Sequence, residues 1–203
     1  MKLYDATVSG NAYKIRLFAA LTGIELDLVS IDLAAGDNRT DDFLAVNPRA
    51  QIPVLVDGDT VIWDSQAILV HLARTRAADW LPEDTDGLVR VMQWLAVAEN
   101  EILYGLARAR AVLVFDRPWD LAQSQTLGRA GLAVMDGHLA DRAWLATDRP
   151  TIADIACYPY VALAPMGEVS LADYPNVVRW IGAVQALPGY IDMPGIRPAS
   201  EIA

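Results

Sequence analysis

The 203-residue sequence predicts an α/β first third followed by an all-helical remainder. Strand-like and helix-like segments alternate as far as residue 76, and helical patterns alone follow from residue 88. Between these parts lies an acidic, aperiodic stretch that contains Pro82 and predicts a linker at residues 78–86. We therefore expect two domains, at residues 1–77 and 87–203.

Composition narrows the class of protein. The chain is 54% hydrophobic and 21% charged, which is enough apolar material for a core, and its net charge is −10. An acidic surface repels phosphate backbones, so no nucleic-acid partner is expected. No apolar run reaches about 18 residues and the first residues lack an apolar secretion signal, so we expect a cytoplasmic protein without a membrane span. One cysteine and two distant histidines predict neither a disulfide nor a metal site.

The first elements predict a βαβ unit. Residues 2–7 and 26–31 are rich in apolar and β-branched side chains, typical of strands. Residues 11–22 between them have apolar side chains at helical spacing, and Gly23 ends the pattern. Two strands joined through a helix imply parallel pairing.

The next elements predict a short helix, a hairpin and a third helix. A helix over residues 41–46 should end before Pro48, since the residue before proline disfavours the α region. Residues 53–57 and 60–63 flank an Asp-Gly turn, which is a strong hairpin signal. A helix over residues 66–76 completes the α/β part.

Four further helices are predicted, over residues 88–114, 119–141, 151–164 and 175–187. Pro159 should kink or shorten the third of them. Thr151 and Asp154 have the spacing of a capping box at its start. Cys157 lies among apolar neighbours and is interpreted as a core residue rather than a nucleophile.

Pro53 stands where a strand begins, and two interpretations remain open. A trans proline is tolerated at a strand start. A cis Pro53 would leave the backbone N–H and C=O of Ile52 free to pair with an extended peptide ligand.

Two helix starts carry polar side chains that suit either capping or binding. Asp64 and Ser65 can cap the third helix, or they can hold an ammonium and a carboxylate of one zwitterion. Ser9 and Asn11 stand at the first strand–helix turn. Ser9 can cap the first helix, or its hydroxyl and the helix dipole can stabilise a bound thiolate.

These signals occur together in one order, and in that order the sequence resembles the cytosolic glutathione transferase superfamily, as a bacterial, serine-type-like member. The matching segments are MKLY at residues 1–4 with Ser9 and KIRL at 14–17, NPRAQIPVL at 47–55, DSQAI at 64–68 and TIADI at 151–155. The resemblance covers nearly the whole chain. It implies a thioredoxin-like glutathione-binding domain followed by an all-α C-terminal helical domain, which is the glutathione transferase fold, and a homodimer.

The resemblance also implies roles for residues in the first domain. Pro53 would be cis, and the Ile52 backbone would pair with the cysteinyl part of glutathione. Asp64 and Ser65 would hold its γ-glutamyl end. Gln51 and Arg39 would lie near its glycyl carboxylate. Ser9, with Asn11 as its rival, would activate the thiol.

The implied activity is attack by the glutathione thiolate on a small hydrophobic electrophile, with glutathione as co-substrate and no metal. Candidates for the electrophile site in the helical domain are Tyr104, Arg108, Val112 and Trp119. The alternatives are a glutathione-dependent peroxidase, isomerase or reductase, or a non-catalytic binding module. The first helix does not start with a cysteine, which disfavours thiol exchange.

Two positions depart from the family pattern. Asp64 stands where the family usually has Glu, so the carboxylate is retained on a shorter side chain. Ala50 stands where the family usually has Gly, which we expect to restrict the turn before Gln51.

Overall fold

The computed structural model describes residues 1–202, and its first part is built on a mixed four-stranded sheet. In the order β2-β1-β3-β4, the strands are β1 (Lys2–Asp5), β2 (Asp27–Ser30), β3 (Val54–Asp57) and β4 (Thr60–Trp63). β1 and β2 are parallel, which confirms the predicted βαβ unit. β3 runs antiparallel to β1 and forms the predicted hairpin with β4.

Three helices belong to this part: α1 (Gly10–Thr22), α2 (Asp41–Val46) and α3 (Ser65–Arg76). β1 ends two residues earlier than predicted because the chain turns there, and the Ser9 N–H donates to the Ala6 carbonyl at 2.9 Å. α1 ends at Gly23, whose φ of 69° is left-handed. The sheet and these helices match the α/β class that the sequence predicts.

Strands do not recur after residue 76 in the part of the chain that the structure describes. The helices are α4 (Thr85–Val97), α5 (Arg108–Phe115), α6 (Leu121–Leu139), α7 (Ile152–Ala162) and α8 (Pro175–Gln185). A π-helical segment, Ala98–Ala107, joins α4 to α5, so the predicted helix over 88–114 is one continuous run with an unpredicted wide central section. α4 already starts inside the predicted linker, because the Asp84 carboxylate accepts from the Gly87 N–H at 2.7 Å.

α7 lies at the centre of the molecule, and every one of its residues is buried. The helix continues through Pro159, so this proline does not end it. It ends at Ala162, two residues before the predicted end and ahead of Pro165, which disfavours the α region in the residue before it. The capping box at Thr151 and Asp154 is present as predicted. Cys157 is fully buried, and burial raises the pKa of its thiol, as expected of a core residue.

α7 packs against α1 and α3 of the first part and against α4 of the helical part. One continuous apolar core therefore joins the two parts, from Leu3 and Phe18 to Ile155 and Trp180. This packing places the start of α1 directly against the helical part. A β-carbon at Gly10 would lie 2.5 Å from the Tyr160 ring.

The π-helical segment approaches α6 at Gly105. A β-carbon there would lie 2.4 Å from the backbone nitrogen of Gly128. We expect Gly105→Ala to lower the free energy of unfolding by about 1–3 kcal/mol, because two backbones would have to separate. At Gly137, also in α6, a β-carbon would meet no described atom within 4 Å. Gly137→Ala should instead stabilise by about 0.5–1 kcal/mol. Urea denaturation of both variants tests this, and a shift of the same sign in both would contradict it.

Candidate functional site

The turn between β1 and α1 carries both candidates for thiol activation. The Ser9 Oγ accepts from the Ala12 N–H at 3.2 Å, so Ser9 caps α1. Accepting this bond leaves the hydroxyl proton available for donation. The Asn11 Oδ1 is buried and has no hydrogen-bond partner among residues 1–202. Both side chains lie at the positive end of the α1 dipole, where an anion is stabilised.

Asp64 precedes α3 in an unusual backbone conformation, with φ 79° and ψ 127°. Residues other than glycine rarely adopt it, and such outliers cluster at binding sites. The Asp64 Oδ1 accepts from the N–H groups of Gln66 and Ala67 at 2.9 and 3.3 Å. Its Oδ2 lies 4.0 Å from the Arg49 Nη1, and the Asp64 side chain is 33% exposed. Asp64 therefore caps α3 with one oxygen and can accept from an ammonium with the other.

Ser65 is the first residue of α3 and is only 2% exposed. Its Oγ is buried and lacks a hydrogen-bond partner in the described chain. A buried hydroxyl without a partner costs about 1–3 kcal/mol. The hydroxyl and the first N–H groups of α3 suit a carboxylate, and Asp64 beside them suits an ammonium. The two residues together can hold the carboxylate and the ammonium of one ligand.

The peptide bond between Ile52 and Pro53 is cis, as the family resemblance implies. The segment before it is held by two asparagine side chains. The Asn47 Nδ2 donates to the Gln51 carbonyl at 2.7 Å, and the Asn38 Nδ2 donates to the Ala50 carbonyl at 2.6 Å. These bonds fix the chain leading into β3.

Ala50 adopts a left-handed φ of 53°, which accounts for the usual glycine at this position. Alanine is strained there by about 1–2 kcal/mol. Gln51 follows it and is exposed. Arg39 is also exposed, in the 3-10 turn Asp37–Arg39 whose Asn38 bonds to Ala50. Both candidates for the glycyl carboxylate thus lie on connected loops beside Pro53.

Near Asp64, the α/β part and the helical part make a contact that the sequence did not predict. The Gln66 Nε2 donates to the Leu95 carbonyl at 2.8 Å and to the Glu99 Oε1 at 3.0 Å. This pair brings a carboxylate of the π-helical segment to the start of α3. The contact depends on how α4 packs against α3, and no sequence spacing indicates it.

Lys14 was also missed as a site residue. It is fully buried in α1, its Nζ has no hydrogen-bond partner within residues 1–202, and the ammonium lies 5.5 Å from the centre of the Tyr160 ring. Burial lowers the pKa of Lys14, and the nearby Glu99 carboxylate opposes that shift. Lys14 is three residues from Asn11, a spacing that places both on one helix face. That spacing and the KIRL segment at residues 14–17 are the sequence signals that involve Lys14.

Three of the four electrophile-site candidates lie together. The Arg108 guanidinium carbon is 4.2 Å from the centre of the Tyr104 ring and 5.0 Å from that of Trp119. Tyr104 and Arg108 line a groove of about 580 Å³ against α6, which Gln123 and Leu127 also line. Val112, one turn beyond Arg108, is half-buried. Val112 is not among the residues that line this groove.

Two findings concern the chain as a whole. Residues 1–202 bring no three histidine, cysteine, aspartate or glutamate side chains together in a metal-binding arrangement. Over the same residues, every helix is too short or too polar to cross a bilayer.

The mixed sheet with its cis-proline before β3, and the helical bundle packed on it, define a class of two-domain proteins with a thioredoxin-like first domain. Residues 1–74 match the family model of the glutathione S-transferase N-terminal domain, and residues 116–188 match that of the C-terminal domain. The chain belongs to the glutathione S-transferase family.

Individual relatives agree with this assignment. Glutathione S-transferase 3 of Zea mays is 32% identical over 94% of this chain and 91% of its own length. The crystal structure of a glutathione S-transferase from Pseudomonas fluorescens Pf-5 superposes with a TM-score of 0.90 at 33% identity, over 95% of this chain and 98% of that one. A maleylacetoacetate isomerase from Methylobacterium extorquens AM1, crystallised with malonate and glutathione, gives a TM-score of 0.79 at 28% identity, over 93% and 94% of the two chains.

Proposed function

We propose that this protein is a glutathione transferase that activates the glutathione thiolate for attack on a small hydrophobic electrophile. The observation that carries the proposal is the buried Ser65 hydroxyl at the start of α3, which lacks a hydrogen-bond partner in the described residues. Beside it lies the Asp64 carboxylate, whose Oδ2 does not take part in capping α3. This pair matches the carboxylate and ammonium of a γ-glutamyl group. Ser9 and Asn11 then supply polar groups for the thiol at the start of α1.

In this proposal, glutathione lies along the edge of the first domain. Asp64 and Ser65 hold its γ-glutamyl end, the backbone of Ile52 pairs with its cysteinyl part, and Gln51 and Arg39 lie near its glycyl carboxylate. The placement of these residues on connected loops around Pro53 supports a single extended site.

The chemical step needs only the thiolate. The thiol proton leaves to solvent, and the Ser9 hydroxyl donates to the remaining sulfur anion at the positive end of α1. The sulfur electron pair forms the bond to an electrophilic carbon, and the leaving group departs with its own pair. Lowering the thiol pKa by about two units corresponds to about 2.7 kcal/mol of differential stabilisation. Holding both reactants together lowers the barrier further.

The isomerase relative with bound glutathione supports a second candidate, a glutathione-dependent isomerase with the same binding site. A non-catalytic binding module is the third. Binding to immobilised glutathione separates the third from the others. Product analysis separates the first two, since conjugation consumes glutathione and isomerisation returns it.

We further propose a cytoplasmic homodimer whose two domains divide at residues 78–86. Large apolar side chains on β4 and α4 remain exposed and would be covered by a second subunit. They are Val61, Trp63, Val89 and Met92, each between 42% and 54% exposed. The groove at Tyr104 and Arg108, with Trp119 stacked beside Arg108, is proposed to hold the electrophile, and Val112 stays a candidate one turn beyond Arg108.

Ser9→Ala is expected to raise the pKa of the bound glutathione thiol by about one unit or more, because the donor to the sulfur is lost. The thiol is titrated in the ultraviolet in the enzyme–glutathione complex, beside wild type and Asn11→Ala. Ser9→Ala also removes a helix cap, at about 1 kcal/mol. Asp84→Ala, which removes the cap of α4, controls for that loss and should leave the thiol pKa unchanged.

The outcomes of this titration are distinct. A raised pKa in Asn11→Ala alone would make Asn11 the activating residue. A wild-type protein that binds no glutathione, or binds it with an unshifted thiol, would sink the transferase proposal.

A further inference from the structure

Two arginines hold the turn that precedes Ser9, one from each part of the protein. Arg16 of α1 donates from Nη2 to the Thr7 carbonyl at 3.1 Å. Arg110 of α5 donates from both Nη atoms to the Val8 carbonyl, each at 3.3 Å. Two consecutive carbonyls of the turn are therefore fixed by guanidinium groups.

The two arginines differ in their counter-charges. The Arg16 Nε lies 3.3 Å from the Asp5 carboxylate. Arg110 is only 5% exposed, and none of the ion pairs in the described chain includes it. Its Nε is buried without a hydrogen-bond partner among residues 1–202, and its guanidinium carbon lies 5.0 Å from the centre of the Phe115 ring. A buried charge without a counter-charge is costly, so this arrangement suits a site that receives an anion.

The titratable groups packed around the turn do not neutralise the charge of Arg110. Tyr160 of α7 lies directly against Gly10, and burial raises the pKa of its phenol to about 12, so it is neutral at physiological pH. The Lys14 Nζ of α1 lies 5.5 Å from the centre of the same ring, and the Glu99 and Asp64 carboxylates both act on it. Burial also lowers the pKa of Arg110, but a guanidinium remains charged in proteins.

We infer that Arg110 of the helical part is a positioning residue for the thiolate. It fixes the Val8 carbonyl so that the Ser9 hydroxyl is held toward the sulfur, and it places an uncompensated positive charge beside the turn. The inference rests on the proposed function, because the anion it serves is the glutathione thiolate. Through Arg110, the helical part would contribute to activating the glutathione thiol that binds to the first domain.

The test is the pKa of the bound glutathione thiol in Arg110→Met, followed in the ultraviolet. We expect a rise of about one unit, because a positive charge close to the sulfur is removed. The dissociation constant of glutathione at low pH, where the thiol is protonated, should change by less than about threefold. Arg110→Lys keeps the positive charge but loses the paired Nη donors. In this variant the pKa of the bound thiol should lie between the values for wild type and Arg110→Met. A merely structural role would weaken binding without moving the thiol pKa.

Arg129→Met, at an exposed position of α6, is the charge-matched control and should leave the thiol pKa unchanged. Arg110→Gln keeps N–H donors for Val8 without charge and replaces Arg110→Met if that variant fails to fold. Suppose that wild type binds glutathione with a lowered thiol pKa. An unchanged thiol pKa in Arg110→Met or Arg110→Gln would then overturn the inference. Equal rises of the thiol pKa in Arg110→Met and Arg110→Lys would overturn it as well. A wild type without such a thiol would instead remove the proposed function.

Discussion

Asp154→Ala is expected to lower the free energy of unfolding by about 3–5 kcal/mol, because each buried donor left without an acceptor costs about 1–3 kcal/mol. The Asp154 Oδ2 accepts from the Thr151 N–H at 2.9 Å. Its Oδ1 accepts from the Leu145 N–H at 3.0 Å and from the Trp180 Nε1 at 2.9 Å. The carboxylate is fully buried, so the substitution leaves three N–H donors without an acceptor and without access to water.

Asp136→Ala is the matched control for this prediction. Asp136 caps α8 from α6, with its Oδ1 accepting from the N–H groups of Asn176 and Val177 at 2.8 and 3.1 Å. It is half-buried, so water can replace it and the loss should be about 1 kcal/mol. Urea denaturation of both variants and wild type measures the difference. An Asp154→Ala loss no larger than that of Asp136→Ala would contradict the network as a main source of stability.

The capping box at Asp154 separates what sequence can predict from what it cannot. The bond to Thr151 is local, and spacing alone predicts it. The bonds to Leu145 and Trp180 come from segments nine and 26 residues away. They exist only because α7 is the central helix, which no single helical pattern indicates. Sequence therefore predicted the cap of α7 and missed that the cap joins three segments.

The candidate site divides in the same way. Asp64, Ser65 and Pro53 carry their signals in short motifs, and the order of those motifs carries the family resemblance that implies the cis bond and the thioredoxin-like first domain. Arg110, Lys14 and the Gln66–Glu99 pair reach the site only through packing of the helical part on α1 and α3. Charged residues in a helical pattern are usually exposed, so their burial could not be predicted.

The π-helical segment shows a third limit. Residues 88–114 have an uninterrupted helical pattern, and the sequence predicts an ordinary α-helix there. The wide section over Ala98–Ala107 coincides with the close approach of Gly105 to Gly128 and with the Glu99 contact to Gln66. Such sections are often associated with functional sites. Their position depends on tertiary contacts, which a local pattern does not contain.

Asp64→Asn is expected to weaken glutathione binding by about 10–100-fold. The Asp64 side chain is partly exposed, and in the proposed complex its Oδ2 accepts from the γ-glutamyl ammonium. A hydrogen bond between two charged groups contributes about 1.5–3 kcal/mol, which corresponds to that change in the dissociation constant. Calorimetric titration with glutathione measures it.

This substitution separates binding from folding. Asparagine caps helices about as well as aspartate and tolerates a positive φ, so α3 and its unusual first residue should be retained. The unfolding midpoint should therefore change little, and the pKa of the bound thiol should stay low because the start of α1 is untouched. A glutathione analogue without the γ-glutamyl amino group is the control ligand, and wild type and Asp64→Asn should bind it with similar affinity. Equal losses for glutathione and the analogue would mean that Asp64 acts only by capping α3, and the γ-glutamyl end would then have to be held by other groups.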